Sequence, residues 1–97
     1  MNKLDFKGYD NIPTQTKMAL CGYVEEGILP GGFLTAVLCN DLFGAVTHAD
    51  TENAAALTTI VKFIYNRVPS DCWGTATVMR KYSSTMRVKV LDGSDAS

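Results

Sequence analysis

The segment Leu29-Pro30-Gly31-Gly32-Phe33-Leu34-Thr35-Ala36-Val37-Leu38-Cys39-Asn40-Asp41-Leu42-Phe43-Gly44-Ala45-Val46 decides the fold. A rigid proline and two glycines open it, and the longest apolar-periodic run of the chain follows. Leu34, Leu38 and Leu42 recur every four residues, with Val37, Ala45 and Val46 beside them, which is the 3.6-residue period of a helix. The spacing predicts one central helix from Gly31 or Gly32 to about Ala49. Glycines ahead of a helix let the backbone approach a partner closely, and the first helical turn carries unpaired N–H groups. A buried helix with a bare, glycine-lined start is therefore the expected centre of the core and of any anion site. Asn40 and Asp41 interrupt the apolar run, and such groups either face solvent or make specific buried hydrogen bonds. Gly44 costs stability unless a neighbouring helix passes close to it.

Before this segment, residues 1–11 read as an extended arm. Phe6 and Tyr9 are its anchors or part of a binding surface. Pro13 suits the first turn of a helix, with Thr14 or Asn11 as its cap. That helix runs from Thr14 to about Glu26, its apolar set being Met18, Ala19, Leu20, Cys21 and Val24, and Gly27 is its natural stop. After the segment, Asp50 or Thr51 is a helix N-cap. The helix it starts runs to about Asn66 with Leu57, Ile60, Val61, Ile64 and Val68 as its stripe. Phe63 and Tyr65 flank that stripe, so the helix is buried on more than one side or meets another subunit. Lys62 and Arg67 suit the negative end of the helix dipole, and Pro69 closes the element. Trp73, in a turn, is expected to close the core. A short helix from Thr75 to about Ser83 follows. Met86 to Val90 alternates like a strand with no partner and is read as coil, and the polar end is expected to be disordered. The fold class is all-α, a small bundle of three main helices plus a short fourth, with an arm over 1–11, a helical domain over 12–83 and a tail over 84–97.

With 97 residues, one domain is expected, and 46% hydrophobic against 20% charged residues fits an ordinary folded protein. A domain this small buries only about 60–65% of its unfolded surface, so self-association would help it. The net charge of −1 supplies no global pull toward DNA, RNA or an acidic membrane. Any phosphate would have to be held by a few local donors. Cys21, Cys39 and Cys72 lack metal-ligand spacing and read as reduced, structural thiols in a cytosolic protein. The first residues lack a signal-peptide apolar region, and no apolar run nears the ~20 residues of a membrane span.

Catalytic chemistry has little to stand on. The single histidine, His48, sits near a helix end and reads as a dipole partner. Glu25 and Glu26 are adjacent, so they point apart on a helix and do not form a working acid pair. Gly31-Gly32 is not followed by the Gly-Lys-Ser/Thr of a phosphate-binding loop. Neither catalytic residues, nor a metal site, nor a cofactor is expected. A glycine-flanked helix start with an arginine can, however, hold a phosphate.

Taken together, Pro30-Gly31-Gly32-Phe33-Leu34, Ala36-Val37-Leu38-Cys39-Asn40-Asp41-Leu42-Phe43-Gly44-Ala45, Ala49-Asp50, Phe63-Ile64-Tyr65-Asn66 with Pro69, and Cys72-Trp73-Gly74 resemble the anti-CBASS cyclic-oligonucleotide sponges of tailed phages. The likeness covers about residues 12–80. It implies a mostly helical homohexamer in the host cytoplasm that binds cyclic nucleotide second messengers and hides them from the host effector without turnover. Cyclic dinucleotides would sit between paired protomers and cyclic trinucleotides at three-protomer junctions. DNA and membranes are not implied as partners.

Symmetry makes that picture physically economical. A cyclic trinucleotide has three phosphates and a cyclic dinucleotide two, so a symmetric oligomer can set one identical donor on each. Arg67 is then the expected phosphate partner. Gly31 and Gly32 would offer backbone N–H groups, and Pro30 and Phe33 flat apolar contacts for bases. The pairwise site would draw on Tyr9 and Asn11, with Tyr23 as an alternative stacking surface. Glu25 and Glu26 would repel phosphate if they faced that site. A nuclease degrading the same messengers and a helical protein-interaction module are the alternatives.

Overall fold

The computed structural model of the chain describes residues 4–92. Every regular element among them is helical: α1 (Thr14–Glu26), α2 (Gly32–Leu38), α3 (Leu42–His48), α4 (Thr51–Arg67), a 3-10 turn (Ser70–Cys72) and α5 (Ala76–Asp92). The all-α expectation holds, with five helices in place of four.

The central segment is two helices, not one. Asn40 adopts a left-handed backbone with φ of 66°, a conformation asparagine tolerates better than other side-chain-bearing residues. Its N–H and that of Asp41 bond back to Val37 O (3.1 Å) and Ala36 O (2.8 Å), the paired bonds that end a helix. Asp41 then caps α3, its carboxylate accepting from the Gly44 N–H at 3.0 Å. The two polar residues that seemed to interrupt the run therefore end one helix and start the next. Gly44 is needed at the joint. A Cβ there would meet the Asp41 carboxylate and lie 3.2 Å from Ala36 Cβ of α2. The break also redirects the apolar residues. Phe33, Leu34, Ala36 and Leu38 of α2 are buried, but only Ala45 of α3 is, while Leu42, Phe43 and Val46 face outward.

One cap meets expectation and one does not. Asp50 caps α4 by accepting from Asn53 N at 2.8 Å, as its position suggested. Pro13 stands just before α1 and no side chain caps that helix, so neither Thr14 nor Asn11 does so. Met18 of the expected apolar set of α1 is exposed, whereas Leu20, Tyr23 and Val24 are buried. In α4 the inward stripe is Ala56, Ile60, Phe63 and Ile64, and Val61 is on the outside. The arm is not extended through its described part. It makes two turns, closed by Tyr9 N to Phe6 O (2.8 Å) and Ile12 N to Tyr9 O (3.3 Å).

The largest correction concerns the end of the chain. Thr75 caps α5 through Val78 N (3.1 Å), and the helix continues to Asp92 through the stretch read as coil and tail. Residues 93–97 lie outside the described residues. Extending a helix adds a backbone bond for each residue fixed, and packing selects its face. Met79 and Ser83 are buried, with Tyr82 and Met86 half-buried beside them. Ser83 Oγ donates to Gly27 O at 2.5 Å, and Tyr82 OH donates to Val24 O. Trp73 sits half-buried at the core's edge and donates from Nε1 to Val68 O at 3.0 Å.

Gly27 is the tightest point of this α1–α5 seam. Its φ is 74°, and an added Cβ would lie 2.7 Å from Met86 Cβ and 2.8 Å from Ser83 O. Strain in the left-handed region and overpacking add together here. Gly27→Ala is expected to lower unfolding free energy by about 2–4 kcal/mol in urea denaturation. An unchanged midpoint would contradict this packing.

Candidate functional site

The expected site residues fall into three places. The first is an open cleft of about 580 Å³ where α1, α2 and α4 begin. Its walls come from Pro13 to Thr16, from Gly31 to Leu34, and from His48, Asp50, Glu52 and Asn53. Thr16 Oγ1 donates to Asn53 Oδ1 at 2.6 Å and ties α1 to α4. Gly31 caps α2 with no side chain bonded to the first-turn amides. Pro30, the residue before it, accepts from Thr35 Oγ1 at 3.1 Å. Gly32 makes room for His48, whose Cδ2 would be 3.3 Å from a Cβ on residue 32. His48 ends α3 with Nδ1 donating to Gly44 O at 2.8 Å, the helix-end role expected of it.

The charge of this cleft is the reverse of a phosphate site. Asp50 and Glu52 line it, and among the described residues its wall holds no lysine or arginine. The positive ends of α1, α2 and α4 meet there, and the Asp50 and Glu52 carboxylates at the start of α4 already stand against them. Phe33 lines the cleft but is 9% exposed and buried in the core, so it leaves little surface for the flat contact expected with a base.

The second place is the surface where the arm lies on α4. Phe6 stacks on Phe63 with centroids 4.3 Å apart, and Tyr9 meets the same ring edge-on at 5.1 Å. Asn66 Nδ2 donates to Tyr9 OH (3.3 Å), and Asn11 Nδ2 donates to Thr59 Oγ1 (3.0 Å). The Arg67 guanidinium lies over the Tyr9 ring, 5.6 Å from its centroid, on an exposed side chain. So Tyr9, Asn11 and Arg67 share one surface within a single protomer. Gly31 and Gly32 do not join them. Asp50 and Asn53 belong to the start of α4 and Arg67 to its end, and a 17-residue helix is about 25 Å long.

Comparison of the chain with protein-family models, curated proteins and solved structures returns no match. Among the described residues, no group of three or more His, Cys, Asp or Glu side chains is placed to hold a metal ion.

The third place removes one candidate. Tyr23 is fully buried and donates to Cys72 O at 2.6 Å, so it is a core residue and no stacking surface. An aromatic three residues after Leu20 continues the buried stripe of α1, the signal that would have placed it. Asn66 joins the arm surface through Tyr9, a contact that sequence cannot show because it depends on the arm folding back onto α4.

Burial sets the chemistry of the seam. It pushes the Tyr23 and Tyr82 phenols well above their ordinary value of 10.0, and nearby Cys72 adds to both. The Cys39 and Cys72 thiols are raised too, chiefly by desolvation, and no disulfide joins the three cysteines. The folded chain holds these phenol protons where the unfolded chain releases them. That stabilisation is complete below a pH of about 10 and is lost as pH rises beyond it. Tyr23→Phe orphans the Cys72 carbonyl and is expected to cost about 1–3 kcal/mol at neutral pH. Its loss of stability from about pH 9 to 11 should be shallower than that of the native chain, measured by urea midpoints across that range. Equal slopes would contradict the assignment.

Proposed function

We propose that this chain binds cyclic di- or trinucleotides at its surface as a homo-oligomer, a homohexamer in the full reading, and sequesters them without chemistry in the host cytoplasm. The observation that carries the proposal is the exposed Arg67 guanidinium lying over the half-buried Tyr9 ring. A planar cation with donors in its own plane suits a phosphate, and an aromatic ring beside it suits a base. The ring is anchored by Phe63 and Asn66, so less freedom is lost when a ligand docks. The resemblance of its residue pattern to the cyclic-oligonucleotide sponges supports the same reading.

One arginine per chain is a weak phosphate site, and repetition supplies what a single copy lacks. Copies arranged about a two-fold or three-fold axis would set one Arg67 on each phosphate of a cyclic ligand. The Gly31–Gly32 amides, with Pro30 beside them, would reach the same ligand only from a neighbouring copy. In this reading the acidic cleft beside them is a poor place for phosphate.

The test is calorimetric titration against a panel of cyclic di- and trinucleotides, with recovery of the ligand after denaturation. The reading expects one ligand per two or per three chains, recovered intact. Ligand at a hundred times its Kd adds about 2.7 kcal/mol, which raises the melting midpoint of a domain this size by ~10 °C or more. Arg67→Ala removes a charge-assisted bond and is expected to weaken binding by about tenfold to a hundredfold, with only a small fall in the melting midpoint of the unliganded chain. Linear product would favour a nuclease, and no binding to any member of the panel would overturn the reading.

A further inference from the structure

We infer that the outer face of α3 and α4 is where two copies of this chain pair, the Phe43 ring of each seated in the groove between Val37, Leu57 and Val61 of the other. The inference rests on the self-association in the proposed reading and names the face that builds it. Its starting point is an apolar surface with no partner in the protomer. Leu42 is 65% exposed, Phe43 82%, Val46 55%, Val61 47% and Tyr65 72%.

These side chains form one continuous surface. A groove of about 250 Å³ has Val37, Leu42, Leu57 and Val61 in its walls. Leu42 also belongs to a second hollow of about 260 Å³ beside Phe43 and Val46. Val37 and Val61 also line a third, of about 180 Å³, which reaches Tyr65 and Trp73. The two aromatic rings alone expose on the order of 300 Å², and the whole face about twice that. That is the upper end of the largest apolar patch on a monomer and most of the roughly 800 Å² that each partner contributes to a stable pair.

The shape of the surface selects a second copy as its occupant. It carries a protruding ring and an apolar groove side by side, and a two-fold axis lets each copy fill the other's groove in the same way. Charge agrees with this pairing. Asp41 lines the groove, and Lys62 follows Val61 on α4. The face therefore carries an acid and, beside its apolar residues, a base, and a two-fold pairing lets unlike charges meet across the seam. A lipid surface would call for a basic rim, and this groove has an acid in its wall.

The experiment is sedimentation equilibrium on the full chain at tens of micromolar, comparing the native sequence with Phe43→Glu and Val61→Lys. Both positions are exposed, so circular dichroism should show unchanged helix content. The native chain is expected to be a dimer or larger, and each variant to raise the dissociation constant at least about thirtyfold. A native oligomer whose folded variants keep its mass would overturn this face while leaving the nucleotide reading in place. A native chain that is monomeric at that concentration would overturn the pairing, whatever it binds. Val61→Lys stands in should Phe43→Glu fail to fold.

Discussion

The left-handed turn at Asn40, locked by the carboxylate of Asp41 over the start of α3, is the constraint from which the rest of the surface follows. It ends α2 through two backbone bonds and begins α3 through the Asp41–Gly44 bond. Without it the apolar run would continue as one helix with a single direction. With it, α2 keeps its leucines in the core while α3 presents Leu42, Phe43 and Val46 to the outside. A small domain rarely leaves so much apolar surface uncovered unless something is meant to cover it. The local chemistry of two polar residues therefore shapes the protein's outside as much as its inside.

The interior is fixed at a different place. Where α1 ends, Gly27 lets α5 approach so closely that no side chain fits between them. Ser83 and Tyr82 of α5 then bond to backbone carbonyls at the end of α1, and Tyr23 of α1 bonds to the Cys72 carbonyl of the 3-10 turn. Among the described residues no buried side-chain nitrogen or oxygen lacks a hydrogen-bond partner. The core is thus stitched by hydroxyl-to-carbonyl bonds, and this is why a tyrosine that resembled a ligand platform is a structural residue.

Much of the fold was legible from local signals. The bounds of α1, its stop at Gly27, the Asp50 cap and the body of α4 each follow from a residue type at a position where its physics is local. Two features were not legible, for different reasons. Period alone could not separate one broken helix from a continuous one, because Leu34, Leu38 and Leu42 keep the same spacing in both. The alternation of Met86 to Val90 looked like a strand because the residues that hold α5 in place, Val24 and Gly27, are far away in sequence. Of the site, Tyr9, Asn11 and Arg67 were each picked out, but their shared surface depends on the arm folding back onto α4. The Gly31–Gly32 cleft was picked out as an anion site, and its acidic wall could be known only once Asp50 and Glu52 were seen to face it.

The functional account rests on a ligand held by repeated copies of a nearly neutral chain. Native mass spectrometry of the chain with a cyclic trinucleotide measures both parts at once, assembly and occupancy. The account predicts an assembled species carrying intact ligand in a fixed ratio to the number of chains. A spectrum showing only the bare monomer, with every cyclic nucleotide offered, would contradict it.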